Sequence, residues 1–128
     1  MAITYHQNVD GTHIIKIESN SAVPVLIRDV VTLLVDIHYQ SHHNSAYIVL
    51  DFERYDQFPL REFVMCLKQF YRDVEMNQLR VALVVQSSLV RVLEAVVKTL
   101  VTRESIQYFT DTERALLWLH LERGRNVA

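Results

Sequence analysis

The chain has one cysteine, Cys66, two glycines, Gly11 and Gly124, and two prolines, Pro24 and Pro59. A single thiol excludes an internal disulfide and fits a reducing compartment. Neither glycine lies where an apolar run gives way to a helical pattern. A phosphate cradle of the dinucleotide or Walker type needs glycines there, so that backbone can approach the phosphates, and nucleotide-phosphate chemistry is not expected. Long apolar runs are also missing. The longest, Val81-Ala-Leu-Val-Val85, has the length of a strand and falls far short of the roughly 18 residues that span a bilayer. There is no basic excess: Lys and Arg number 13 against 15 Asp and Glu, a formal charge of −2. Nucleic-acid-binding domains usually carry a basic stripe, so none is expected as partner. Met1 to His6 shows no basic segment leading into an apolar core, so a signal peptide is not expected and the expected location is the cytoplasm.

What the chain does have is a regular alternation of apolar runs and amphipathic stretches over 128 residues, half of them hydrophobic. That suffices for one domain with one core. Ile3 to Gln7 and Thr12 to Glu18 read as two short strands, joined across Asn8-Val-Asp-Gly11, where Asp-Gly signals a hairpin turn. Pro24 suits the first turn of a helix. That helix carries Leu26, Val30, Leu33, Leu34 and Ile37 at helical spacing and ends at Ser41-His-His-Asn-Ser45. Tyr47 to Phe52, apolar up to Asp51, and Val81 to Val85, apolar throughout, read as strands buried on both faces. Between them, Leu60, Phe63, Val64, Leu67, Phe70, Tyr71 and Val74 mark a second helix. A third helix follows Ser87-Ser88, either of which can cap it. A last strand, Ser105 to Phe109, precedes Thr110-Asp-Thr-Glu113, which reads as a capping box with Thr110 as the cap. Ala115, Leu116, Trp118 and Leu119 supply the inner face of a final helix. Residues 1–121 are expected to form a single domain and 122–128 a frayed tail. Strands alternating with helices imply right-handed crossovers and a largely parallel sheet, which the opening hairpin makes mixed.

This order resembles the sulfate-transporter and anti-sigma-factor-antagonist (STAS) domain. The closer likeness is to its bacterial STAS-like branch, often grouped with the lipid-binding CRAL-TRIO domains. The residues that carry it are Tyr47-Ile-Val-Leu-Asp-Phe52, Arg80-Val-Ala-Leu-Val-Val85 and Ile106-Gln-Tyr-Phe-Thr-Asp-Thr-Glu-Arg-Ala-Leu-Leu-Trp-Leu119. The resemblance covers Ile3 to Leu119. It implies a mixed α/β sheet of four to five strands with an N-terminal β-hairpin, and about four helices packed mainly on one face. Members are typically non-enzymatic. Regulatory ones, such as anti-sigma-factor antagonists, meet a kinase or scaffold protein at the turn and helix after the central strand. There they present a phosphorylatable Ser or Thr, often within Asp-Ser-Ser-Gly. Counted from Asp51, that motif falls near Pro59-Leu-Arg-Glu62, where no side chain has a hydroxyl. The interaction surface survives as an expectation without the phospho-switch.

The residues expected to bind a partner protein are Asp51, Glu53, Arg54, Tyr55, Asp56, Phe58 and Arg61. They follow a buried strand into a helix, and in open α/β sheets ligands and partners meet the carboxyl ends of strands. Aromatic residues beside arginine are common interface anchors. The partner is expected to be a regulatory or scaffold protein or a second copy of the chain, giving a homodimer. The alternative reading is an apolar or lipid-like ligand held between helices and sheet. No catalytic, cofactor or metal residue is assigned. Asp51, Glu53 and Asp56 form one local cluster, whereas paired-carboxylate hydrolysis needs acids converging across a pocket. Asp51 is expected instead to bond the backbone of its own turn. His38 and His42 are four apart at a helix end and His43 diverges from His42, without the further ligand that zinc requires. Cys66 lies mid-helix, outside the electropositive setting that makes a thiolate, and is read as packing.

Overall fold

The computed structural model describes residues 3–17, 23–41, 45–53, 60–73, 79–97 and 106–126. Within them run β1 (Ile3–Gln7), β2 (His13–Ile17), α1 (Val23–Gln40), β3 (Ala46–Asp51), α2 (Leu60–Asp73), β4 (Leu79–Val84), α3 (Ser87–Val97), β5 (Ile106–Phe109) and α4 (Thr112–Asn126). The strands form one five-stranded sheet in the order β1-β2-β3-β4-β5. β1 is antiparallel to β2, and β2 to β5 are mutually parallel.

The turn between β1 and β2 shows why Asp10-Gly11 stands there. The Asn8 N–H donates to the Thr12 carbonyl at 2.8 Å and the Gly11 N–H to the Asn8 carbonyl at 2.9 Å. Gly11 has φ +92°, a left-handed conformation that costs glycine nothing and closes a three-residue hairpin loop with a bulge.

Because the parallel strands are laid down in sequence order, right-handed crossovers put α1, α2 and α3 on the same face. There Ile15, Ile17, Ile48, Leu50, Phe52, Leu79, Val81, Leu83, Val85 and Ile106 of the sheet meet Val30, Leu34 and Ile37 of α1, Phe63 of α2 and Leu93 of α3. No crossover constrains α4, and it covers the other face. Ala115 and Leu119 pack against Ile14, Tyr47, Val49, Ala82 and Val84. The period-2 alternation of a strand explains the division: Ile48, Leu50 and Phe52 face one way, Tyr47, Val49 and Asp51 the other.

Two expectations are corrected at the ends of α4. The cap is Asp111: the Arg114 N–H donates to Asp111 Oδ1 at 2.8 Å. α4 begins at Thr112, so Thr110 lies one residue too early to cap it. At the other end, residues 122–126 are helical rather than frayed. Glu122 accepts from Arg80 Nε at 3.4 Å and from Arg125 Nη1 at 3.2 Å. Arg123 lies 4.5 Å above the Tyr47 ring. It also donates to Thr12 Oγ1 at 3.0 Å and to the Asp10 carbonyl. These partners fasten the last turns of α4 to the hairpin and to the beginnings of β3 and β4.

Ser87 and Ser88 are also displaced from their expected capping role. α3 begins at Ser87, and the first-turn bond runs from the Leu89 N–H to the Gln86 carbonyl at 2.9 Å. Both serines are exposed. Among the described residues, no helix is long and apolar enough to cross a membrane.

Candidate functional site

The carboxyl end of β3 is held from three sides. The Phe52 N–H donates to the Val84 carbonyl at 2.8 Å, which carries the ladder one residue past the strand. The Phe52 ring meets Phe63 of α2 edge to face, centroids 6.2 Å apart. Asp51 turns to the opposite face. Its Oδ1 accepts the Glu53 N–H at 2.9 Å, and its Oδ2 accepts the Thr112 hydroxyl at 3.3 Å. The expected bond from Asp51 to the backbone of its own turn is therefore present. The bond to Thr112 joins that turn to the first residue of α4.

The Phe52–Phe63 contact sets the roll of α2. Phe63 points into the core and is 2 % exposed. Arg61, two residues earlier and about 200° round the helix, points away and is exposed. Leu60 packs partly against the core, and Glu62 stands in the first turn, where a carboxylate complements the helix dipole.

Of the seven residues expected to bind a partner, three are described. Asp51 is buried at 8 % exposure and engaged within the protein. Glu53 and Arg61 are exposed at the same end of the sheet. Arg54, Tyr55, Asp56 and Phe58 lie outside the described residues, as do His42 and His43 and the side chain of Cys66. Among the described residues no cluster of three or more His, Cys, Asp or Glu could hold a metal ion.

Electrostatics draw attention to the opposite end of the molecule. The Thr12 backbone N–H, bonded to Oδ1 at 2.9 Å, is the main cause holding the Asp10 carboxyl below its usual value, with the Thr12 hydroxyl and Arg123 adding to it. Burial, and then the Arg123 charge, lower the His13 pKa. The Tyr5 hydroxyl sits 2.6 Å from His13 Nδ1, with the rings stacked at 5.8 Å. On β5, burial and then Glu94 push the Tyr108 phenol up. The clasp of Asp10, Thr12, Arg123 and Tyr47 escaped sequence reasoning because Arg123 lies far along the chain from its partners, 111 residues from Thr12.

The model of one protein family, described as SpoIIAA-like, matches residues 15–120. The match runs from the centre of β2 into α4 and includes β3, β4 and β5 whole. No curated protein and no solved structure matches the chain. The chain belongs to the SpoIIAA-like family.

Proposed function

We propose that this SpoIIAA-like chain is a non-enzymatic regulatory module that grips a protein partner at the turn after β3 and the first turn of α2, without a phosphoryl switch. The family match supports a regulatory interaction domain. The observation that carries the finer reading is the opening of α2. Leu60-Arg61-Glu62 begins the helix where a phosphorylatable residue would stand, and none of the three has a hydroxyl. Arg61 is exposed there, on a helix fixed by Phe63 against Phe52. A rigid scaffold that offers an exposed arginine suits recognition of an acidic or polar protein surface, because the guanidinium fork orients its partner and helix packing limits the entropy lost on binding.

In this reading Asp51 supports the surface and does not touch the partner. Glu53 and Arg61 make contact, together with Arg54, Tyr55, Asp56 and Phe58. The test is photocrosslinking in cells of the source organism from position 58. A discrete crosslinked protein that disappears with Arg61→Glu supports the proposal. The same crosslinked protein at undiminished yield in Arg61→Glu and Glu53→Lys overturns it.

A further inference from the structure

Among the described residues, β1 is an edge strand without the usual protections. Edges are commonly blunted by a charged residue, a proline, a bulge or a covering helix, since a free row of N–H and C=O groups templates another strand. β1 reads Ile-Thr-Tyr-His-Gln and contains neither Lys, Arg, Asp, Glu nor proline. Its pairing with β2 runs unbroken from Ile3↔Ile17 to Gln7↔His13. Its principal neighbour is β2, and Thr4, Tyr5, His6 and Gln7 are exposed.

The hairpin fixes which backbone groups are free. The Asn8 N–H bonds the Thr12 carbonyl, so Asn8 opposite Thr12 is a hydrogen-bonded pair. Such pairs alternate along an antiparallel ladder. His6 opposite Ile14 and Thr4 opposite Lys16 are therefore hydrogen-bonded as well. Ile3, Tyr5 and Gln7 turn their N–H and C=O groups outward. Side chains alternate independently: Tyr5, opposite Ile15, projects on the face of α1 to α3, and Thr4 and His6 project on the face of α4.

We infer that the free edge of β1 pairs antiparallel with β1 of a second copy about a twofold axis at Tyr5, joining the two sheets into one. The outward groups of Ile3, Tyr5 and Gln7 are spaced symmetrically about Tyr5, so every free donor in the strand meets a free acceptor of the copy. Ile3 lies opposite the partner's Gln7 and Thr4 opposite the partner's His6. No two acidic or basic residues of like sign are juxtaposed. Tyr5 is 41 % exposed, yet its ring is held by its hydroxyl at His13. It is thus ordered before it meets the partner's Tyr5, an aromatic cross-strand pair of the kind that stabilises sheets. A twofold axis perpendicular to the sheet keeps α1 to α3 of both copies on one face and α4 of both on the other, so the helices need not move.

The test is sedimentation of the full chain from micromolar to near-millimolar concentration, with two variants. Tyr5→Pro removes an outward N–H and leaves the ladder to β2 whole. Thr4→Cys with His6→Cys places thiols at non-hydrogen-bonded positions across the twofold, where Cα atoms come close enough for a disulfide. Expected are a dimer in the wild type, a monomer with unchanged circular dichroism in Tyr5→Pro, and a reducible covalent dimer of the double-cysteine variant that oxidised wild type does not form. If Tyr5→Pro fails to fold, the crosslink alone decides. A wild type that stays monomeric with no crosslink overturns the inference. So does a dimer that survives Tyr5→Pro but is dissociated by Leu117→Asp with Leu121→Asp, since Leu117 and Leu121 are exposed on α4 and that result would place the contact there.

Discussion

The Asp51 carboxylate and the Thr112 hydroxyl, 61 residues apart in the chain, meet at 3.3 Å where β3 ends and α4 begins. With its other oxygen on the Glu53 N–H, Asp51 ties the turn that leads toward α2 to the helix on the opposite face. A carboxylate in a strand-end turn invites a catalytic reading, but a side chain that is 8 % exposed and doubly bonded inside the protein is a brace.

Asp51→Ala therefore loses two hydrogen bonds to a charged acceptor, and urea unfolding should show a destabilisation of about 2 to 3 kcal/mol. Thr112→Val should cost about 1 kcal/mol. Because they share a bond, the double variant should fall short of the sum of the two. Strict additivity would show that the Asp51–Thr112 bond carries nothing.

The last turns of α4 give a second expectation. Arg80 and Glu122 are only 11 % and 12 % exposed at their side chains. Truncation after Leu121 removes Glu122 and Arg123 together. Removing one partner of a mostly buried pair typically costs about 3 to 5 kcal/mol, and a loss in that range is expected in urea. Unchanged stability would return residues 122–128 to the status of a tail.

Acid should weaken the fold through His13 before it does so through Asp10. Burial and Arg123 lower the folded pKa of His13, so the unfolded chain binds the proton more readily. The stability this group contributes is whole above about pH 6.5, the unfolded histidine value, and is lost as pH falls through the lower folded value. Asp10, also depressed in the fold, acts in the same direction below the ordinary carboxylate range. His13→Gln should flatten the stability curve below about pH 6.5. An unaltered slope in that variant would remove His13 as the cause.

Beneath α1, α2 and α3, Leu34, Phe52, Phe63 and Leu93 pack with the apolar side chains of the sheet. Native mass spectrometry of chain purified from cells is accordingly expected to return only the masses of the polypeptide and its dimer, with no added ligand. A co-purifying apolar molecule would favour the ligand-binding reading over the protein-partner one.

The strands were legible because β3 and β4 are mostly apolar, with only Asp51 and Arg80 charged, and the hairpin because Asp10-Gly11 is a turn signal with a definite conformation. The ends of α4 were not. Thr110 to Glu113 fits a capping box, but Asp111 is an equally good cap one residue later, and local pattern does not choose between them. Glu122 and Arg123 read as part of a frayed tail since their partners, Arg80, Asp10, Thr12 and Tyr47, are distant in sequence. The direction of Asp51 was within reach: it shares a parity with Tyr47 and Val49, which pack under α4. In the candidate surface, the exposure of Arg61 follows from Phe63 being the inward residue of the same turn.

The most direct test of a gripping surface at the opening of α2 compares Arg61→Glu with Asp51→Asn in cells, scoring both the crosslinked partner and the melting temperature. Arg61→Glu should abolish the crosslink at unchanged melting temperature, and Asp51→Asn should lower the melting temperature yet keep the crosslink in the folded fraction. A partner retained at full yield by Arg61→Glu, or turnover of a small molecule that vanishes in folded Asp51→Asn, would contradict it.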